Sequence, residues 1–182
     1  ISESFQFFLK NFNRIINKEF IKVDISWKES FNLVLKAHPW ISKLSKSYLA
    51  KTKNGGGVSH EYSHAIHLFV ILGDLLFKEK NVKPKKIIMY RKQKKIFYDE
   101  KVNLQLSGDT KNNKISVDIN SINNPPIKKI VVKQNGKKIL SWVRKIEKNL
   151  EFVKGEKYFK INKKFKINRR LDFINELKSL LQ

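Results

Sequence analysis

The spacing of apolar residues changes period near the middle of this chain, and no other feature narrows its possible folds as far. In the first half they recur every three or four positions; from residue 101 onward they alternate with polar ones. Helices first and strands later predict an α+β fold rather than a parallel α/β fold. The expected architecture is an N-terminal helical layer and a central apolar helix packed against a C-terminal antiparallel sheet, with a closing helix. The length of 182 residues suits a single domain, with a helical part at 1–81 and a strand-rich basic part at 82–182. Hydrophobic residues at 41%, including 13 Phe, are enough to bury a core despite the charge.

Phe5, Phe8, Leu9, Phe12, Ile15 and Ile16 form one helical stripe. Ser26 and Glu29 have capping-box spacing, which predicts a second helix carrying Phe31, Val34 and Leu35 and ending at His38-Pro39. Ile41, Leu44, Tyr48 and Leu49 suggest a third. Asn54-Gly55-Gly56-Gly57 reads as a flexible loop. A long helix is expected from Ser59 to about Lys80, the most buried of all, with Ile71 and Leu75 inside.

Lys101–Leu106 and Lys114–Ile119 alternate as half-buried strands do. Asn135-Gly136 between Ile127–Lys133 and Lys137–Trp142 is a strong hairpin signal. A further hairpin joins Ile87–Tyr90 to Lys95–Tyr98. Trp142, Val143, Ile146, Leu150 and Val153 suggest a short helix. Phe159, Ile161, Phe165 and Ile167 share one face of an extended segment, and Leu171, Ile174, Leu177 and Leu181 one face of the last helix.

The 39 Lys and Arg against 16 Asp and Glu give a formal charge of +23. Such self-repulsion points to a polyanionic partner. Part of the lysine content reflects composition, since Lys, Asn and Ile dominate while Ala is scarce, as in AT-rich coding sequence. The charge is uneven: residues 54–77 have no Lys or Arg, whereas 128–170 carry 16 basic and three acidic residues. Cys is absent, which excludes disulfides and thiolate metal sites. No apolar run is long enough for a transmembrane helix. The opening ISESFQFFLKNF has no secretory n-region, so a cytoplasmic or otherwise intracellular location is expected. Without an initiator Met, a fragment of a larger protein is also expected.

The sharpest chemical motif is His60-Glu61-Tyr62-Ser63-His64. HExxH on a continuous helix sets two imidazoles one turn apart, able to share a Zn²⁺, with the Glu as general base. The longer HEYSHAIH resembles the active-site helix of zinc metallopeptidases. That resemblance implies His60 and His64 as zinc ligands and catalytic Glu61 in a zinc-dependent hydrolase. A third ligand would come from His38, Asp99, Glu100 or Asp118, and no spacing selects one. His67 and its neighbours otherwise read as polar residues of a helix face.

Asp99, Asp109 and Asp118 lie on or beside expected strands, which keeps a metal-dependent nuclease open, although Asp118-Ile119-Asn120 lacks the Lys of a D/E-x-K pattern. No phosphate-binding Gly loop and no G-x-S-x-G occurs. The broadest constellation is basic. Alternation in Tyr158–Ile167 sends Lys160, Asn162, Lys164 and Lys166 to one face, followed by Arg169 and Arg170. Lys128, Lys129, Lys133, Lys137 and Lys138 decorate the preceding hairpin, with Arg144 beyond it. These eleven cations make backbone binding of DNA or RNA the leading expectation, with no cofactor implied. The alternatives are the zinc hydrolase, the nuclease, and a protein-interaction domain whose basic surface is only compositional bias.

Overall fold

The structure is a computed structural model, and it describes residues 2–37, 40, 43–77, 82–93, 96–108 and 111–168. It is α+β: short N-terminal helices and an eight-stranded, mixed, mostly antiparallel open sheet. Helix α1 (Glu3–Phe12) leads into strand β1 (Ile21–Lys28) and helix α2 (Phe31–Ala37). Three single 3₁₀ turns between Leu44 and Asn54 precede helices α3 (Val58–Glu61) and α4 (Ser63–Leu76). Strands β2 (Val82–Gln93), β3 (Ile96–Gly108), β4 (Lys114–Asn120), β5 (Ile127–Gln134), β6 (Lys137–Lys145), β7 (Leu150–Gly155) and β8 (Ile161–Lys166) complete the described elements. The sheet order is β2-β3-β4-β1-β5-β6-β7-β8. No described helix is long and apolar enough to cross a membrane.

Strand β1 is the main departure from the sequence expectation. Ser26, expected to cap a helix, lies inside the strand, which pairs parallel with β4 and antiparallel with β5. The sheet is therefore mixed, and its centre comes from the N-terminal part of the chain. The alternation Ile21, Val23, Ile25, Trp27 buries one face of β1 completely, outweighing a local capping pattern that offers only two hydrogen bonds. Helix α2 begins five residues after Ser26: Ser30 Oγ accepts from Asn32 N at 3.2 Å, and the Ser30 carbonyl accepts from Leu33 and Val34.

Helix α1 covers one flank of the sheet. Phe5, Phe8 and Phe12 stack in succession at 5.8 and 6.0 Å, and Phe5 meets Trp142 edge-on. Trp142 stacks on Trp27 at 6.3 Å, joining β6 to β1 through the core. Helix α4 covers β1 and β4 with Ala65, Phe69, Leu72 and Leu76. Ile71 and Leu75, expected to be buried, are half-buried, because the helix lies on one sheet face and is not enclosed. Leu72→Ala should thus cost about 2–5 kcal/mol, whereas the half-exposed Val70→Ala should stay within about 0.5 kcal/mol. Denaturant melts that rank the two the other way would contradict this placement.

The remaining corrections have local causes. The Ser59–Lys80 helix is broken at Tyr62 (φ −110°, ψ 32°), whose hydroxyl donates to the Glu29 carbonyl at 2.7 Å. The third helical stretch is a run of 3₁₀ turns. The triglycine is no slack loop: Gly56 and Gly57 are buried and donate to the Lys51 and Leu49 carbonyls at 3.0 and 3.2 Å. The short helix expected after Trp142 is the rest of β6, one 3₁₀ turn and β7. The Asn135-Gly136 hairpin forms as expected, both residues having positive φ (48° and 78°), as a type I′ turn requires. The closing helix expected over Leu171–Leu181 lies outside the described residues.

Candidate nucleic-acid interface

The two faces of the sheet differ in kind. Alternation on β1 buries Ile21, Val23, Ile25 and Trp27, and cross-strand register extends that face through Ile119, Val117 and Ile115 on β4 and Ile130 and Val132 on β5. Phe5 against Trp142, Phe7 against Phe165 and Gly73 beside Leu106 place the described helices on this face.

The opposite face follows from the same register. One row across the sheet reads Asn103, Asp118, Ser26, Lys129, Val143, Phe152, Lys164 from β3 to β8. The next reads Gln105, Ser116, Asp24, Val131, Ser141, Lys154, Asn162. Outside these rows stand Lys114, Lys22 and Lys133 at one end and Lys101, Lys28, Lys145 and Lys166 at the other, with Lys83 and Lys85 on edge strand β2. Twelve lysines and two aspartates, Asp24 and Asp118, share this open face.

Both aspartates are engaged. Asp24 takes Lys133 at 3.1 Å, Lys22 at 3.3 Å and the Ser116 hydroxyl at 3.1 Å, and Asp118 pairs with Lys28. Lys101, Lys114, Lys129, Lys154, Lys164 and Lys166 have no acidic partner among the described residues. Burial alone would raise the Asp24 carboxyl, but the Lys133 hydrogen bond, the Lys22 charge and the Ser116 hydrogen bond outweigh it and hold the group below its ordinary 3.8. A folded pKa below the unfolded one gives stability that is complete above about pH 4 and lost as pH falls through the folded value. Asp24→Asn should therefore destabilise the chain at neutral pH and do so progressively less as pH falls below about 4. A destabilisation that stays constant across that range would contradict the coupling.

The structure separates the cations expected from sequence. Lys129, Lys133, Lys164 and Lys166 lie on the open face. Lys128 and Arg144 lie on the helix-covered one, where Lys128 pairs with Glu29 at 2.6 Å over the Trp27 ring and Arg144 meets the buried Glu151. Lys137 and Lys138 sit at the hairpin end, Lys138 bridging to Glu156, and Lys160 is exposed just before β8. Arg169 and Arg170 lie outside the described residues. The sequence reading did not single out Lys22, Lys28, Lys83, Lys85, Lys101, Lys114, Lys145 or Lys154, which share this face. The signal for Lys22 and Lys28 was the alternation of Ile21–Lys28, hidden by its reading as a helix start.

The HExxH residues occupy two helices. His60 lies inside α3, where its Nδ1 is 3.2 Å from the Gly56 carbonyl, and Glu61, the last residue of α3, accepts from the Tyr48 hydroxyl at 2.7 Å. His64 and His67 are exposed on α4, beyond the break at Tyr62. Burial and Glu61 push the Tyr48 hydroxyl up to about 12, keeping it a donor. Asp99 lies under the start of α3, accepting the Ser59 N–H at 2.9 Å and the Ser59 hydroxyl. Glu100 pairs with Arg91. Among the described residues, no three His, Asp or Glu side chains converge on a position that could hold a metal ion. Asp99 lies past the end of β4, away from Asp118, while Asp109 and His38 fall outside the described residues.

No protein-family model matches this chain, and no curated protein is significantly similar to it.

With no family to lend residue roles, the site rests on geometry and charge alone. The open face is the broad surface of an eight-stranded sheet. It offers mobile point charges suited to an extended anion rather than the converging groups of a catalytic pocket.

Proposed function

We propose that this chain binds nucleic acid through the phosphate backbone, on the open face of its sheet. The observation that carries the reading is the segregation of charge: twelve lysines and two aspartates face one way, while helices cover the other side. Lysine ammonium groups on long stems meet phosphates as point charges without fixed geometry, which suits backbone contact and carries no base information. The register spaces the cationic positions across eight strands at about 4.8 Å per strand, a span of about 34 Å that fits a polymer rather than a small anion.

Binding to a generic oligonucleotide should fall steeply with salt. The log–log slope is about −0.9 per phosphate contact on duplex DNA and about −0.7 on a single strand. The combined change Lys129→Gln, Lys133→Gln, Lys154→Gln, Lys164→Gln should flatten it by roughly three units, similarly for unrelated sequences. Asp24→Asn should act oppositely, releasing Lys22 and Lys133 and tightening binding. An unchanged slope in the quadruple variant would remove the ligand from this face, and no binding at low salt would refute the function.

A further inference from the structure

We propose that the strand bound on this face is single, with an unpaired base stacked on Phe152 while the lysines around it hold the phosphates. The inference rests on the backbone reading above and narrows it to a ligand class. Its basis is an apolar stripe inside the basic field. Val131, Val143, Leu150 and Phe152 all lie on the open face, half-buried by their neighbours and covered by no described helix. In one cross-strand row Phe152 is flanked by Val143 and Lys164, with Lys129 beyond Val143. The Lys145 ammonium stands 5.7 Å from the centre of the ring.

A duplex turns its phosphates outward and hides its base faces in the stack. Laid on this sheet, it would set phosphates and water against the apolar stripe. An unpaired strand can point bases at the stripe and phosphates at the lysines beside it. Every base has a π face, so stacking on a single ring needs no particular sequence. Strand spacing puts Lys129 and Lys164 about 14 Å apart with Phe152 between them, leaving room for a base flanked by two phosphate contacts. A second copy of the chain is a poorer occupant, because two faces with this charge repel each other.

The test is fluorescence anisotropy with three labelled probes of equal length: oligothymidine, an abasic sugar-phosphate strand and a blunt duplex. Wild type should bind oligothymidine about 5- to 100-fold tighter than the abasic strand. Phe152→Leu should erase most of that preference and leave abasic affinity, duplex affinity and salt slope unchanged. The unchanged abasic affinity also reports an intact fold. Equal wild-type affinity for the base-bearing and abasic strands, or a preference that survives Phe152→Leu, would overturn the stacking inference while salt-dependent binding upheld the backbone reading. Equal weakening on all three probes would make Phe152 structural and overturn it too. A dimer in sedimentation that Phe152→Leu dissociates would assign the stripe to a second copy. No binding of any probe at low salt would reject both readings.

Discussion

Gly56→Ala should cost about 3 kcal/mol or more and can abolish folding at physiological temperature. A Cβ at Gly56 would land on the Tyr48 carbonyl oxygen and press on the Leu49 backbone, and neither is a flexible side chain able to swing away. Gly57 is constrained twice: its φ is +95°, and a Cβ there would strike the Asp99 carboxylate. Gly55→Ala is the control, since nothing lies within 4 Å of its Cβ position. Its φ of +77° leaves a conformational penalty of about 1–2 kcal/mol only. Thermal melts should rank Gly56→Ala far below Gly55→Ala. Similar melting for the two would mean that this tract is the slack loop its composition suggests.

Arg144→Ala should cost about 3 kcal/mol and leave nucleic-acid affinity unchanged under conditions where the variant is folded. Glu151 is 2% exposed, and its carboxylate is held by Ser2 and Ser4 on one oxygen and faces Arg144 Nε at 3.4 Å on the other. Removing the guanidinium leaves a buried charge without its cation, the costly way to break such a pair. Trp142 Nε1 donates to Ser4 Oγ at 2.8 Å, so the loss should spread to the seat of α1. The paired change Arg144→Met, Glu151→Leu should recover much of the stability. A loss of affinity in Arg144→Ala at full stability would return this residue to the binding surface.

The period-two runs at 101–106 and 114–119 and the Asn-Gly turn were legible because each signal is local: a strand face and a turn are written in consecutive residues. Strand β1 was not, because its alternation is overlaid by Ser26 and Glu29 at capping spacing. The choice between them is made by β4 and β5, about 90 to 110 residues away in the chain. The triglycine misled for a related reason. Its close approaches are to Tyr48, Leu49 and Asp99, which no local pattern reveals.

The candidate site was legible in part for the same reason. Lysine alternation around β8 correctly set Lys164 and Lys166 on one face. No count of charge distinguishes Lys129 from Lys128, yet these neighbours point to opposite faces, one toward solvent and one toward Glu29 and Trp27. The same holds for Lys163 and Lys164, the former lying 4.6 Å over the Phe7 ring. The HExxH string depends on more than its own residues. Its five letters presume one continuous helix, and the fold breaks the helix at the middle residue, where Tyr62 turns in to reach Glu29.

The open face of the sheet is the surface proposed to meet nucleic acid. Lysine acylation footprinting tests it most directly, by comparing the labelling of each lysine with and without bound oligonucleotide. Lys22, Lys129, Lys154 and Lys164 should be protected together, although they come from β1, β5, β7 and β8. Lys10 on α1 and Lys53 in the turn before the glycines should label equally in both states. Protection of Lys10 and Lys53 with the four sheet lysines left unprotected would contradict the account.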